Sequence, residues 1–159
     1  MLKGKKILLR PLLDTDLDFL FKIENNKENW KFGGEKKQYS KKELETYISN
    51  SKIDINIAKQ YRFVIDLKEI PIGFIDLFNY TTASTGVGII VDKEYRNQGF
   101  AKEALNLLID YAFFALNINQ LHAIVTKENI VSVKLFNSCG FVLESEKSYS
   151  QYFFKLAQK

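Results

Sequence analysis

The apolar positions of this chain follow a helical period near its start, a two-residue period through its middle, and a helical period again beyond Gly99. Ile7-Leu8-Leu9-Arg10-Pro11-Leu12 reads as a short strand, ended by Pro11 because its ring fixes φ and removes a backbone donor. Asp14 or Thr15 then caps a predicted helix reaching about Asn25, with Leu17, Leu20, Phe21 and Glu24 at helical spacing. Ser40 with Glu43 three residues on is a capping box that opens a second helix through Leu44, Tyr47 and Ile48. Between these helices, Glu24 to Tyr39 is polar, carries Gly33-Gly34 and the one tryptophan, Trp30, and is expected to be a loop.

From Tyr61 the period changes. Arg62-Phe63-Val64-Ile65-Asp66, Ile70 to Tyr80 and Gly86 to Val91 are β-rich runs separated by the turn-like pieces Leu67 to Glu69 and Thr81 to Thr85, which predicts three consecutive antiparallel strands. After Gly99, the residues Ala101, Ala104, Leu105, Leu108, Ile109, Ala112 and Phe113 make an apolar stripe wide enough for a helix to pack on a sheet, ending near Asn117. Leu121 to Thr126 is a further strand. Asn129 or Ile130 begins another helix that Gly140 stops in the left-handed region, and Phe141 to Ala157 supplies a final aromatic-rich β pair. This order of elements is that of an α+β sheet domain, and no repeat, linker or boundary divides residues 1–159.

Composition sharpens this only at the margins. At 159 residues and 46% hydrophobic content the chain can bury one core. Its net charge of +4 comes from basic pairs such as Lys36-Lys37 and Lys41-Lys42 set among 19 acids, a solvated surface rather than a nucleic-acid patch. One cysteine (Cys139) and one histidine (His122) cannot build a disulfide framework or a Cys/His metal cluster, so no metal is expected and a reducing cytoplasm fits. No apolar run approaches the roughly 20 residues that span a bilayer, and the opening residues lead into a strand, so the expectation is a soluble cytoplasmic protein with no membrane partner. A homodimer is the expectation for any self-association.

The candidate chemistry concentrates at Tyr95-Arg96-Asn97-Gln98-Gly99-Phe100-Ala101-Lys102, where a strand gives way to the long helix. The first-turn N–H groups of a helix have no intrahelical partners and sit at its positive end, so backbone alone can hold a pyrophosphate there, and Gly99 and Ala101 allow close approach. A P-loop would need Gly followed by Lys and Ser/Thr, and a dinucleotide fingerprint G-x-G-x-x-G; neither is present. The arrangement Arg96-x-x-Gly99-x-Ala101 resembles the coenzyme A pyrophosphate loop of the GNAT superfamily of N-acetyltransferases. Lys127 to Phe141, with Asn129-x-x-Ser132, Phe136 and Gly140-Phe141, resembles the second signature of that family, in the family's order and with a strand between.

The resemblance spans roughly Ile7 to Phe154 and implies a GNAT-type fold: a central mixed, mostly antiparallel sheet of about seven strands flanked by four helices, with acetyl-CoA as cosubstrate. It implies that the exposed backbone of Ile89, Ile90 and Val91 pairs with the pantetheine amides. Arg96, Asn97, Gln98, Gly99, Phe100, Ala101 and Lys102 would take the pyrophosphate, Asn129 would meet the pantetheine arm, and the helix bearing Ser132 and Phe136 would flank the cofactor's far side.

Direct transfer from a thioester to a primary amine needs alignment, carbonyl polarisation and proton handling but no side-chain nucleophile, so Cys139 is read as helix-end packing. The family's frequent tyrosine acid is replaced here by Phe136, leaving Ser132, Cys139 or water to protonate the thiolate. Many relatives carry a glutamate base where this chain has Gly86. Asp76, embedded in the apolar strand Gly73-Phe74-Ile75-Asp76-Leu77-Phe78, is the catalytic alternative: it binds the ammonium, relays its proton through water, or is a structural carboxylate bonded to lysine or backbone. Ile23-Glu24-Asn25-Asn26, Arg62 to Asp66 and Gly73 to Asp76 look most like the spermidine and diamine acetyltransferase branch, next to the ribosomal-protein N-terminal branch. A small polyamine is therefore the expected acceptor, with Glu24, Glu28, Trp30 and Glu35 as candidate substrate contacts. Protein N-termini or lysines, or a degenerate acyl-CoA-binding role, are the alternatives.

Overall fold

The computed structural model describes residues 1–32 and 37–158. Strands β1 (Leu2–Lys3), β2 (Leu8–Pro11), β3 (Tyr61–Leu67), β4 (Ile70–Phe78), β5 (Thr85–Val91), β6 (Gln120–Thr126), β7 (Val142–Ser148) and β8 (Gln151–Ala157) form one sheet in the order β1-β2-β3-β4-β5-β6-β8-β7. Every neighbouring pair is antiparallel except β5 and β6, which run parallel. The sheet thus has one strand more than the seven expected; the addition is the two-residue β1, which pairs Leu2 with Leu9.

The helices are α1 (Leu17–Glu24), α2 (Lys41–Asn50), α3 (Ile55–Ala58), α4 (Phe100–Asp110) and α5 (Ile130–Ser138). The four-residue α3 was not expected from periodicity, because one turn is too short to show any. Ser40 and Glu43 form the anticipated capping box on α2. The chain enters α1 through a 3-10 turn over Asp14–Asp16, whose Leu13 N–H donates to Asp16 Oδ2 at 2.8 Å. The Glu24 to Tyr39 stretch contains a 3-10 segment at Lys27–Phe32, and α4 runs on into a π-helical turn at Tyr111–Ala115.

Alternation along the strands builds two cores. Phe63, Ile65, Ile75, Leu77, Val87, Leu121, Ala123 and Val125 pack beneath α4 and α5, joined by Leu105, Leu108 and Phe136. On the other face Val64 and Phe74 meet Leu20 and Ile23 of α1 and Leu44 and Ile48 of α2. Arg10 ties the start of α1 to the sheet edge through Asp16 (2.8 Å) and Asp66 (2.7 Å), all three well buried.

The β3–β4 hairpin sets the register that matters. Its two turn residues, Lys68 (φ 50°) and Glu69 (φ 71°), are both left-handed, as the tight hairpin turn that suits strand twist demands. A register shift between Ile65 and Asp66 then brings Arg62 opposite Asp76 on the α1–α2 face.

Candidate active site

Strands β5 and β6 pair only at Thr85↔Leu121 and Gly86↔His122. Beyond that point they part, and Ile89, Ile90 and Val91 form the wall of a cleft of about 430 Å³. Its floor and rim come from Tyr95, Arg96, Asn97, Gly99, Phe100, Ala101 and Lys102, and its far wall from Asn129, Val131, Ser132 and Leu135 of the α5 region. Gly99 caps α4 at φ 87°, and a Cβ there would have nothing within 4 Å, so the loop turns left-handed and stays open above its own backbone. The first backbone bond of α4 is Glu103 N–H to Gly99 O (3.2 Å), which leaves the preceding N–H groups without intrahelical acceptors. This cradle fits a pyrophosphate, with Lys102 adding positive charge at the rim.

Three of the cofactor assignments change in detail. Arg96 lies on the cleft, but its guanidinium turns back into the protein, donating to Val91 O (2.8 Å) and Asn29 Oδ1 (3.0 Å), so it braces the loop. Gln98 is not on the cleft wall; its side chain donates to Glu94 O at 3.2 Å. Phe136 is 3% exposed and packs against Phe141 and Phe154, because its position on α5 faces the sheet, whereas Val131, Ser132 and Leu135 face the cleft. Val131 and Leu135 are cleft residues that the sequence motifs did not mark, and Tyr95, the first residue of the loop stretch, joins them on the cleft though no role was assigned to it. Asn129 Oδ1 caps α5 by accepting from Ser132 N (3.2 Å), which leaves the Nδ2 end for a ligand carbonyl.

A second cavity, of about 500 Å³, opens between α1, α2, β3 and β4, with Glu24, Tyr39, Tyr47, Tyr61, Arg62, Asp76 and Phe78 among its lining residues. At its centre Arg62 grips Asp76 with two bonds, Nε to Oδ1 at 2.7 Å and Nη2 to Oδ2 at 2.8 Å, and reaches Glu24 Oε1 through Nη1 at 2.6 Å. The guanidinium lies over the rings of Phe74 (4.9 Å to the centroid) and Tyr47 (5.4 Å), two cation–π contacts. Burial opposes its charge, yet the attraction of Asp76 prevails and holds its pKa well above the ordinary value. Burial also pushes the Tyr47 phenol up, so it stays neutral.

Asp76 is therefore partnered by arginine, rather than by the lysine or backbone considered from sequence. Both of its oxygens are engaged by the guanidinium. Of the other candidate substrate contacts, Glu24 joins this cluster. Trp30 donates from Nε1 to Glu24 O (3.1 Å) and is not on the cavity wall, because the 3-10 segment turns it back against the end of α1. Glu28 is exposed and faces Lys93 at 3.9 Å, away from the cavity. Glu35 lies outside the described residues.

The segment from Lys22 to Trp30 joins the two cavities. Lys22 Nζ bonds Asp92 Oδ2 (3.0 Å), and the buried Asn29 accepts from Arg96 while donating to Ile23 O (3.1 Å), so the segment that presents Glu24 to one cavity is fastened to the loop of the other. Gly86 also has a structural reason: a Cβ there would run into the ring of Phe78, so a larger side chain and Phe78 exclude each other. At Gly88, by contrast, a Cβ would sit 3.8 Å from Phe78 Cε1 and 3.9 Å from Asp76 Oδ2. Cys139 is half-buried, and burial raises its thiol pKa, which keeps it protonated and unreactive near neutral pH.

Among the described residues no group of His, Cys, Asp and Glu is placed to hold a metal ion, and no helix is long and apolar enough to cross a membrane. The family model for the acetyltransferase (GNAT) domain matches residues 6–142. Spermidine N(1)-acetyltransferase of Vibrio cholerae is 34% identical over 144 residues, covering 89% of this chain and 82% of the relative. The enzyme of the same name from Escherichia coli is 28% identical over 148 residues, covering 92% and 78%. The crystal structure of spermidine N-acetyltransferase from Vibrio cholerae in complex with CoA and spermine superposes with a TM-score of 0.86 at 27% identity, over 96% of both chains. A split parallel strand pair above an open helix N-terminus, together with a family match over most of the sequence, places this chain in the GNAT family as an acetyl-CoA-dependent N-acetyltransferase.

Proposed function

We propose that the acceptor is the primary amine of a small polycation of the polyamine or diamine class. The observation that carries this is the Glu24–Arg62–Asp76 cluster: two carboxylates on one guanidinium leave a net negative charge at the wall of a cavity otherwise formed by Tyr39, Tyr47, Tyr61 and Phe78. Such a site attracts ammonium groups by charge and holds alkyl chains and cations against ring faces. The spermidine acetyltransferase relatives support the same reading.

Acetyl-CoA supplies the activated thioester. The cleft residues Ile89, Ile90 and Val91 would align it through backbone groups, and the amides opening α4 would hold its pyrophosphate. The segment Lys22 to Trp30 keeps the two cavities in register, and Ser132 on the cleft wall, or a water there, would protonate the departing thiolate. We place the enzyme in a reducing cytoplasm, consistent with its single, unpaired cysteine.

Self-association belongs to this reading as well. Every residue of edge strand β7 is exposed, with Val142 63% and Leu143 47% accessible, and a Vibrio cholerae relative of TM-score 0.79 is described as a dodecameric structure. Sedimentation at several concentrations would distinguish a homodimer from a larger oligomer or a monomer.

A panel of amines with acetyl-CoA, read by free-thiol release, tests the function. Spermidine and spermine should exceed unstructured peptides and free lysine by at least about tenfold in kcat/KM, since a factor of ten is about 1.4 kcal/mol of differential transition-state binding. A preference for peptide N-termini would overturn the polyamine assignment and leave the N-acetyltransferase activity standing.

A further inference from the structure

With Asp76 gripped by Arg62, the acceptor ammonium still needs a group to take its proton, and His122, which lines neither cavity but packs against Phe78 of the acceptor cavity, is a titratable side chain that the site described above does not use. His122, on β6, is the register partner of Gly86 at the last pairing before β5 and β6 separate, so it stands at the apex of the split. Its side chain lies on the same sheet face as Asp76 and Phe78, because Leu121, Ala123 and Val125 alternate into the opposite core. The ring meets Phe78 edge-on at 6.2 Å and stacks on Phe153 at 5.5 Å, and Phe78 in turn lines the acceptor cavity. The ring of Phe78 fills the space over Gly86, where a Cβ would run into it, and so reaches the neighbourhood of the imidazole.

The ring is also held in orientation. Nδ1 lies 2.7 Å from Ser84 Oγ, which accepts a further bond from Gln120 Nε2 at 3.1 Å. On the strands beside it stand Lys147 on β7 and Lys155 on β8, whose ammonium is drawn to Glu144 (3.1 Å), while the Asp76–Arg62 pair shares its sheet face farther along, on β4 and β3. Burial, with the charge of Lys147 added, holds the imidazole below its ordinary pKa, so it is neutral near neutral pH.

We infer that His122 is the proton acceptor of the transfer, taking the ammonium proton through one bridging water, with Ser84 as its positioning residue. This rests on the reading of the acceptor as an ammonium. In the tautomer assigned, Nδ1–H donates to Ser84 and Nε2 carries the free lone pair. One proton passes from the ammonium through water to Nε2. The nitrogen lone pair then forms the C–N bond while the thioester C–S bond breaks. The leaving sulfur takes a proton from water at the cleft wall, directly or through the Ser132 hydroxyl, and the imidazolium and the new amide release their extra protons to solvent.

Two variants test this. His122→Phe keeps the ring stack, and His122→Gln keeps a bond to Ser84. Both should retain the thermal shift with CoA, yet lose on the order of 10²-fold in kcat/KM for spermidine, the range for a lost general base. The acid limb of the wild-type pH profile should vanish in both, an effect that mere packing loss does not produce. Ser84→Ala should lose less, and keep the limb. Because the chain has one histidine, its imidazole NMR resonance is unambiguous. CoA with spermidine should lower its pKa, as a cation brought close disfavours imidazolium.

Either variant matching wild type across the range from about pH 5.5 to about pH 9 overturns the inference. Failure of the wild type to acetylate any amine sinks the substrate reading instead. The resonance then decides alone: an imidazole that CoA at the strand split leaves unmoved also overturns the inference.

Discussion

The cleft along β5 and the cavity along β3 and β4, proposed to take the acceptor, lie on neighbouring strands but are made of different material. The cleft is shaped by backbone: a parted strand pair, a left-handed Gly99 and the unbonded amides that open α4. The acceptor cavity is shaped by side chains brought from α1, α2, β3 and β4, with Glu24, Arg62 and Asp76 at its centre. Backbone recognition suits a ligand that never changes, since it depends on few side-chain identities. Side-chain recognition can be retuned by single substitutions, which is why our proposal places substrate choice there.

The largest effect should come from closing the backbone cradle. Gly99→Glu places a carboxylate at the pyrophosphate and forces a Cβ into φ 87°, at a conformational cost of about 1–2 kcal/mol. Wild type at 100 times Kd gains about 2.7 kcal/mol from CoA, a rise of several degrees in Tm, and the variant should show none. Equal shifts in the two proteins would mean that the cleft is not where CoA binds.

On the acceptor side the corresponding change is Arg62→Met. It removes the one cation between Asp76 and Glu24, which are 26% and 27% exposed at the side chain, and leaves two carboxylates facing each other. Breaking a fully buried pair costs about 3–5 kcal/mol; partial exposure here brings the expectation to the lower end of that range. Denaturant unfolding should show that loss. CoA affinity, measured by calorimetry, should change by less than threefold, because Arg62 does not line the cleft and the bonds of Lys22 to Asp92 and Asn29 to Arg96 fasten the shared segment without it; a parallel loss of CoA binding would show the two cavities to be one unit.

The same difference in material explains what was legible in the sequence. The pyrophosphate loop and the α5 cap are contiguous, so Arg96 to Ala101 and Asn129 to Ser132 carried their own spacing. The order of elements along the chain and the capping box were legible for the same local reason. Arg62 was not, because its pairing with Asp76 depends on the register shift at Ile65/Asp66. Counting back symmetrically from the Lys68-Glu69 turn would set Tyr61 opposite Asp76. Phe136 failed in another way: its place in the motif was clear, but which way an α5 residue faces is decided by packing against Phe141 and Phe154. Arg96 likewise sat in the right loop, with a partner in Asn29, 67 residues away, that no local pattern announces.

A smaller change sharpens the division of labour within the acceptor cavity. Asp76→Asn keeps the shape and removes one charge, leaving Arg62 balanced by Glu24 alone. KM for spermidine should rise about tenfold, with kcat within several-fold and CoA binding unchanged, the signature of lost uniform binding of a cation. A fall of about 10² or more in kcat at constant KM would instead make Asp76 the base and remove that task from His122.

The smallest effect on catalysis should come from Phe136→Tyr, which restores the residue type seen at this place in many members of the family. The ring is 3% exposed, with Phe141 at 5.0 Å and Phe154 at 6.4 Å, and it does not line the cleft. A hydroxyl added there enters an apolar core, at a cost of about 1–3 kcal/mol where it finds no partner. For a chain of this size that is a fall in Tm of several degrees, at about 2–4 °C per kcal/mol. Turnover should stay within several-fold of wild type, because the new oxygen points into the core and away from the thioester. A rise of tenfold or more in kcat with Tm unchanged would mean the opposite: that the ring swings into the cleft, that its hydroxyl protonates the thiolate, and that a single side chain can move this position from the core to the backbone-built cleft.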